Sequence, residues 1–188
     1  MENFIDHCNA LFHLSDDAKA ALNSILVFKS VKKGEKILKE GSYCKHLFFI
    51  QKGLVKLRFN ANDGKEFIMR FFDENLTLTV IDSLMKERPS LYEIIALEDT
   101  HFTAIPFRAL KKLAQNHPEF NHFIESLTIT ASINMMERIS EMLEEDAKTR
   151  YSNFVQQNPT FLQRVSLGDI SKYLGITQVS LSRIRSSK

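Results

Sequence analysis

Few residues in this 188-residue chain are suited to covalent or metal-borne chemistry. Cysteine is scarce: Cys8 and Cys44 stand far apart and form no CxxC pair, too few for a zinc or iron–sulfur ligand set. The six histidines (His7, His13, His46, His101, His117, His122) are scattered, and the five-residue step from His117 to His122 misses the i, i+4 spacing of a helical metal pair. There is no P-loop, no GxGxxG and no nucleophile elbow, and no acid–base set converges, so neither an enzyme nor a bound cofactor or metal is expected. No window approaches the roughly 18 unbroken apolar residues of a membrane span. Residues Met1–Asp6 carry neither a basic n-region nor an apolar h-region. The expectation is a cytoplasmic chain with no membrane partner.

What is present is an ordinary globular balance, 44% hydrophobic and 26% charged. The net charge of +2 hides an asymmetry. Residues 148–188 hold seven of the 25 basic residues and only one of the 23 acidic ones (Asp169), net +6 against −4 for the rest. A basic end on an acidic body suits a polyanionic partner, although a solvated basic face gives the same count.

Ser15, followed by Asp16 and Asp17, opens a short helix carrying Leu14, Ala18, Leu22 and Ile25 at helical spacing. From Val27 the period changes. Short apolar runs at Phe28–Val31, Lys36–Leu38, His46–Ile50, Leu54–Phe59, Glu66–Phe72, Leu91–Ala96 and His101–Ile105 are punctuated by Gly34, Gly41, Gly53 and Gly64. Asp63-Gly64 marks a hairpin. Strands at these intervals predict an antiparallel sandwich or barrel over residues 27–106. The 15 phenylalanines, in a chain without tryptophan, are assigned to its core. Phe49, Phe67, Phe71 and Phe72 are alternatively lining for an apolar ligand cavity.

Phe107–Asn116 reads as a short helix and His117-Pro118 introduces a long one. Phe120, Ile124, Leu127, Ala131, Met135, Ile139 and Met142 recur at steps of 4, 3, 4, 4, 4 and 3, one helical face. Phe123, Ile133, Met136 and Leu143 lie off it. Two apolar sides need two covers, one being the β domain and the other most simply a second copy of the chain. A further helix follows at Lys148–Gln156. Val165–Lys188 then carries two short helices about Leu174-Gly175-Ile176-Thr177.

In that last segment Ser166 caps the first helix, Ile170 and Leu174 form its buried face, and Ser171 is small where a second helix crosses. Gly175 supplies the turn, Thr177 caps the second helix, and Leu181 and Ile184 bury its inner side. This is the spacing of a helix-turn-helix. Its outward side presents Gln178, Val179, Ser182, Arg183 and Lys188 to base edges, while Ser166, Thr177 and the helix N-termini are placed for phosphates.

The frame Val31-x-x-Gly34-Glu35-x-Ile37 … Glu40-Gly41 … Leu47-Phe48-Phe49-Ile50-x-x-Gly53-x-Val55-x-Leu57, with the helix-turn-helix ending in Leu181-Ser182-Arg183-Ile184-Arg185, resembles the Crp/Fnr superfamily of bacterial transcription regulators. The resemblance implies an α+β chain. Residues 1–116 would be a cyclic-nucleotide-binding-like β-roll of double-stranded β-helix (jelly-roll) type, 117–146 a dimerisation helix, and 147–188 a helix-turn-helix domain. It implies a homodimer on double-stranded DNA, with room for an unknown small-molecule effector in the β-roll and for contact with RNA polymerase. Two departures matter. The family's Gly-Glu pair for ribose and Arg-Ser or Arg-Thr pair for the cyclic phosphate fall at Thr79-Val80 and Ser90-Leu91, without carboxylate or guanidinium, and Arg88 is out of position. No cyclic-AMP response of the usual kind is expected. In the recognition helix the family's Arg-Glu-x-x-x-Arg is Gln178-Val179-Ser180-Leu181-Ser182-Arg183, so the operator should differ. The chain also stops soon after this helix, so a short or missing wing should pass phosphate contacts to Arg185 and Lys188. The competing reading is a ligand- or partner-binding β-roll whose C-terminal segment docks a protein.

Overall fold

The computed structural model describes residues 3–186. Asn3 and Ser15 each begin a helix by accepting a backbone N–H three residues on, from Asp6 at 2.9 Å and from Ala18 at 3.2 Å. They open α1 (Phe4–Phe12) and α2 (Asp16–Asn23). Only α2 is expected from the sequence. The signal for α1 is the cap Asn3 with Asp6 in its first turn and the i, i+4 pair Phe4 and Cys8 facing inward.

Eight strands follow: β1 (Val27–Val31), β2 (Lys36–Leu38), β3 (His46–Lys52), β4 (Val55–Asn60), β5 (Glu66–Phe72), β6 (Thr77–Leu78), β7 (Tyr92–Ala96) and β8 (Thr100–Pro106). They form two four-stranded antiparallel sheets, β1-β8-β3-β6 (sheet A) and β2-β7-β4-β5 (sheet B). The seven expected strands are present, their ends shifted by two residues at most. Strand β6 and the six-residue α3 (Ile81–Lys86) are too short to leave a period. Leu38, Phe48, Ile50, Val55, Ile94 and Phe102 fill the space between the sheets.

Strand β3 is apolar on both sides because both are covered. Phe48 and Ile50 point into the sandwich, whereas Leu47 and Phe49 point out against α1, α2, α4 (Phe107–Leu113) and the start of α5 (Glu119–Glu144). Phe4 packs on Phe49 at 5.3 Å between ring centroids and on Phe123 at 5.5 Å.

The remaining chain folds as α6 (Ala147–Gln157), α7 (Phe161–Arg164), α8 (Leu167–Leu174) and α9 (Gln178–Ser186). This unit shares a core with the outer face of sheet B. Leu54, Ile68 and Phe71 meet Tyr151, Phe154, Phe161, Val165, Ile170, Leu174 and Leu181.

One expectation is overturned here. Phe49, Phe67, Phe71 and Phe72 do not line a common cavity. Phe49 belongs to the helices over sheet A, Phe71 to the core under α8, and Phe72 to the inside of the sandwich, while Phe67 stacks on Phe59 at 5.4 Å. Strand alternation sends neighbouring rings to opposite faces. Among the described residues no helix is long and apolar enough to cross a membrane, and no group of three or more His, Cys, Asp or Glu is placed to hold a metal.

Candidate nucleic-acid interface

The Ser166 hydroxyl accepts the Asp169 N–H at 3.1 Å and starts α8. Ile170, Ser171 and Leu174 face inward, and the Ser171 hydroxyl donates to the Gly168 carbonyl at 2.8 Å, so the one polar group on that face is satisfied. Gly175 leaves the helix at φ +68°, the left-handed conformation that a Cβ disfavours. Ile176 then donates its N–H back to the Ser171 carbonyl at 3.0 Å. Thr177 caps α9 by accepting the Ser180 N–H at 3.1 Å. Leu181 is buried, anchoring α9 to α8 and to the core below.

That anchor fixes which side of α9 meets solvent. Thr177, Gln178, Val179, Ser182, Arg183 and Arg185 are all exposed, Val179 at 61%. At helical spacing Val179, Ser182 and Arg183 point away from Leu181, while Gln178 and Arg185, three and four residues from it, lie at the exposed edge beside it. Ser166 is exposed at the other helix start, with its hydroxyl already serving as a cap. The Gln178 amide lies back over α8: its Nε2 would be 2.7 Å from a Cβ on Gly168. Lys188 lies outside the described residues.

The carboxyl end of α8 is held by cations, which suits its dipole and its unpaired carbonyls. Arg138 of α5 donates to the Tyr173 carbonyl and lies 4.0 Å from the Tyr173 ring centroid, and Arg150 of α6 donates to the Leu174 carbonyl at 3.2 Å. Neither arginine is signalled by sequence, since each reads as a surface charge on its own helix.

The apolar face of α5 is divided. Phe120 is fully buried within the chain, and Ile124 and Leu127 pack half-buried on the same core. Ala131 is half-buried, while Met135 and Ile139 are more than half exposed. Met142 is 40% exposed and places its Cε beside Gly175. A second stripe, Ile129, Ile133, Met136 and Leu143, is exposed beside it, and with Ser140 between the last two it steps 4, 3, 4, 3. That is heptad spacing.

At the positions where the family would hold a cyclic nucleotide, the polar groups are consumed locally. The Thr79 hydroxyl donates to the His46 carbonyl at 2.9 Å, and Val80 is buried. The Ser90 hydroxyl donates to the Tyr92 carbonyl at 2.8 Å and accepts the Tyr92 N–H at 3.0 Å, while Leu91 is exposed. Arg88 pairs at the surface with Asp82 at 2.9 Å. These residues do not fit a cyclic phosphate.

The cyclic nucleotide-binding domain family matches residues 28–117. Among curated proteins the chain is 28% identical over 169 residues to Electron transport regulator A of Shewanella oneidensis, covering 83% of this chain and 66% of that protein. It is 28% identical over 185 residues to Regulatory protein HlyX of Actinobacillus pleuropneumoniae, covering 92% and 76%. The chain thus spans about two thirds to three quarters of the length of these relatives. Among solved structures it resembles a putative transcriptional regulator of the Crp/Fnr family from Eubacterium rectale, with TM-score 0.73, 18% identity, and 92% and 82% coverage. It also resembles FixK2 from Bradyrhizobium japonicum, with TM-score 0.75, 19% identity, and 87% and 84% coverage. At these identities the structures establish the shared fold.

Proposed function

We propose that the chain is a DNA-binding transcription regulator of the Crp/Fnr family and that it reads a pseudo-palindromic DNA site as a homodimer, independently of cyclic AMP. The reading rests on the exposed surface of α9, where Val179, Ser182 and Arg183 point away from the buried Leu181 and Gln178 and Arg185 are exposed at the edge beside it. Arg183 is the candidate for bidentate contact with guanine. Val179, lacking a carboxylate, suits the thymine methyl. Thr177 and Ser166, at the starts of α9 and α8, are the candidates for phosphate contact, joined by Arg185 and Lys188 at the chain end. Two copies would set their recognition helices roughly 34 Å apart, one duplex turn. The exposed part of α5 supports self-association. In this reading residues 1–116 are the sensor roll, 117–146 the dimer helix and 147–188 the reader.

Independence of cyclic AMP follows from the absence of carboxylate and guanidinium at Thr79-Val80 and Ser90-Leu91 and from the local use of the Ser90 hydroxyl. Burying a phosphate without a paired cation is costly.

The test is fluorescence anisotropy against a random duplex pool at several salt concentrations, with Arg183→Ala alongside. The reading requires binding that weakens steeply with salt, selected sites with two-fold symmetry, and loss of that selectivity in Arg183→Ala. Binding no tighter than the nonspecific level of about 10⁻⁴ to 10⁻⁶ M would instead favour a C-terminal unit that docks protein.

A further inference from the structure

We propose that sheet B orients the reading helices directly, within one chain, through an ion-pair network that ends on α8, with Lys56 and Glu66 as the positioning residues. On β4 the side chains alternate. Val55 and Leu57 turn into the sandwich and Lys56 and Arg58 turn out, where strand logic places them in water. They are not in water. Side-chain exposure is 11% for Lys56, 19% for Arg58, 17% for Glu66 and 5% for Glu93.

The network runs across the sheet. Lys36 pairs with Glu93, and Glu93 accepts from Arg58 Nε at 2.9 Å. Arg58 reaches Glu66 at 2.7 Å, and Glu66 lies 3.4 Å from Lys56 and 2.9 Å from Lys172. Lys56 closes on Asp169 at 2.7 Å. Asp169 and Lys172 are three residues apart on α8, so both face the sheet. Signs alternate at every step. A second clamp lies just before α8, where Arg164 holds both oxygens of Glu74, at 3.0 Å each, and both of Glu98, at 2.9 and 2.8 Å.

Exposed ion pairs hold little, but removing one partner from a desolvated set strands the others without compensation. That makes the arrangement all-or-none. It is not needed to fold α8, whose N-terminus is capped by Ser166. It also leaves the surface of α9 exposed, so its effect is to orient that surface and not to cover it. A shift of β4 or β5 therefore moves α8 without passing through the dimer helix.

The consequence for DNA rests on the reading above, whereas the orientation itself can be measured without DNA. Nitroxide labels at Lys29→Cys on β1 and Thr160→Cys before α7, in full-length chain diluted with unlabelled chain, report the intrachain distance by double electron–electron resonance. Cys8 and Cys44 are buried and stay in place. The parent should give one narrow distribution. Glu66→Gln, Asp169→Asn and the more exposed Lys172→Gln should each broaden it with circular dichroism unchanged, Asp169→Glu should restore it, and Arg183→Ala should leave it narrow. Each broadened variant should lose about tenfold in affinity for the selected duplex and nothing in nonspecific affinity. Distributions as narrow as the parent's in all three variants overturn the proposal. If the parent binds no duplex, the DNA reading falls while the distance comparison still decides the coupling.

Discussion

Gly53 is the most demanding backbone position in the roll, and replacing it with alanine separates two effects that glycine substitutions usually mix. It joins β3 to β4 at φ +107°. A Cβ there would lie 2.9 Å from the Thr100 Cα and 3.0 Å from the Asp99 carbonyl oxygen. Both are backbone atoms at the start of β8, so no side-chain rotation relieves the overlap. Gly64, in the β4–β5 hairpin, has a similarly positive φ of +80° but nothing within 4 Å of its Cβ position. Positive φ alone costs a residue with a Cβ about 1 kcal/mol. The overlap at Gly53 adds about 2 kcal/mol. Gly53→Ala should therefore cost about 3 kcal/mol and Gly64→Ala about 1 kcal/mol. At roughly 2–4 °C per kcal/mol for a chain of this size, Tm should fall by about 6–12 °C and 2–4 °C respectively. Thermal unfolding followed by circular dichroism measures both. Equal losses would refute the close-approach argument. A second consequence is specific to Gly53. Its N–H donates to Glu74 at 2.7 Å, and Glu74 also holds Arg164. Distortion there should loosen the segment leading into α8, giving broader intrachain distances in Gly53→Ala and unchanged ones in Gly64→Ala.

Three other outcomes follow from named contacts. Ile133→Glu with Met136→Glu should shift the sedimentation coefficient to that of a monomer, since both side chains are more than half exposed on α5; Phe120→Ala should instead destabilise the chain by about 3–5 kcal/mol in urea unfolding, because that ring is buried within it. Saturating cyclic AMP should leave Tm unmoved, whereas a ligand at 100 times its Kd would add about 2.7 kcal/mol, or roughly 5–11 °C. Acid unfolding should be less steep in Glu66→Gln/Glu93→Gln: burial pushes both carboxyls up, but the cations around them (Lys172, Lys56 and Arg58 for Glu66, Lys36 and Arg58 for Glu93) more than offset this and hold both below the ordinary 4.5. Their contribution is therefore fully present above about pH 4.5 and lost as pH falls through the depressed values, and an unchanged acid slope in the double variant would sink that account.

The sandwich was legible because its strands obey local rules: period two, glycine at the turns, and Asp63-Gly64 in the hairpin between β4 and β5. The capping serines Ser15 and Ser166 and the turn at Gly175 were legible for the same reason, each being decided within four residues. What escaped depends on partners distant in sequence. Leu47–Ile50 reads as a strand, but nothing in it says that α1 and α4 cover its outer face. Lys56 and Arg58 alternate with Val55 and Leu57 as a solvent-facing set would, and only the fold shows α8 lying over them. Met142 continues the helical period of α5, yet its tip meets Gly175, a contact that periodicity cannot assign. The phenylalanines mislead for a related reason. Four rings close in sequence suggest one cavity, but alternation along β5 divides even adjacent Phe71 and Phe72 between two cores.

Two routes of control therefore meet at α8. One comes from α5, where Arg138 donates to the Tyr173 carbonyl of α8 and the Met142 Cε lies beside Gly175 at its end. The other comes from sheet B, where Lys56 holds Asp169 in the first turn of α8 and Glu66 holds Lys172 in its last turn, along the side that faces the sheet. A shift of α5 pulls on the carboxyl end, and a change in the roll pulls on the side of α8 that faces sheet B. Because α8 is only eight residues long and rigid, either pull rotates α9 with it. The routes are separable by experiment: Arg138→Ala should uncouple α9 from α5 while preserving the distance from β1 to Thr160, and Glu66→Gln should do the reverse. If both substitutions disturb both couplings equally, the helix-turn-helix unit is moved as part of one undivided core, and its contacts with α5 and with sheet B have no distinct roles.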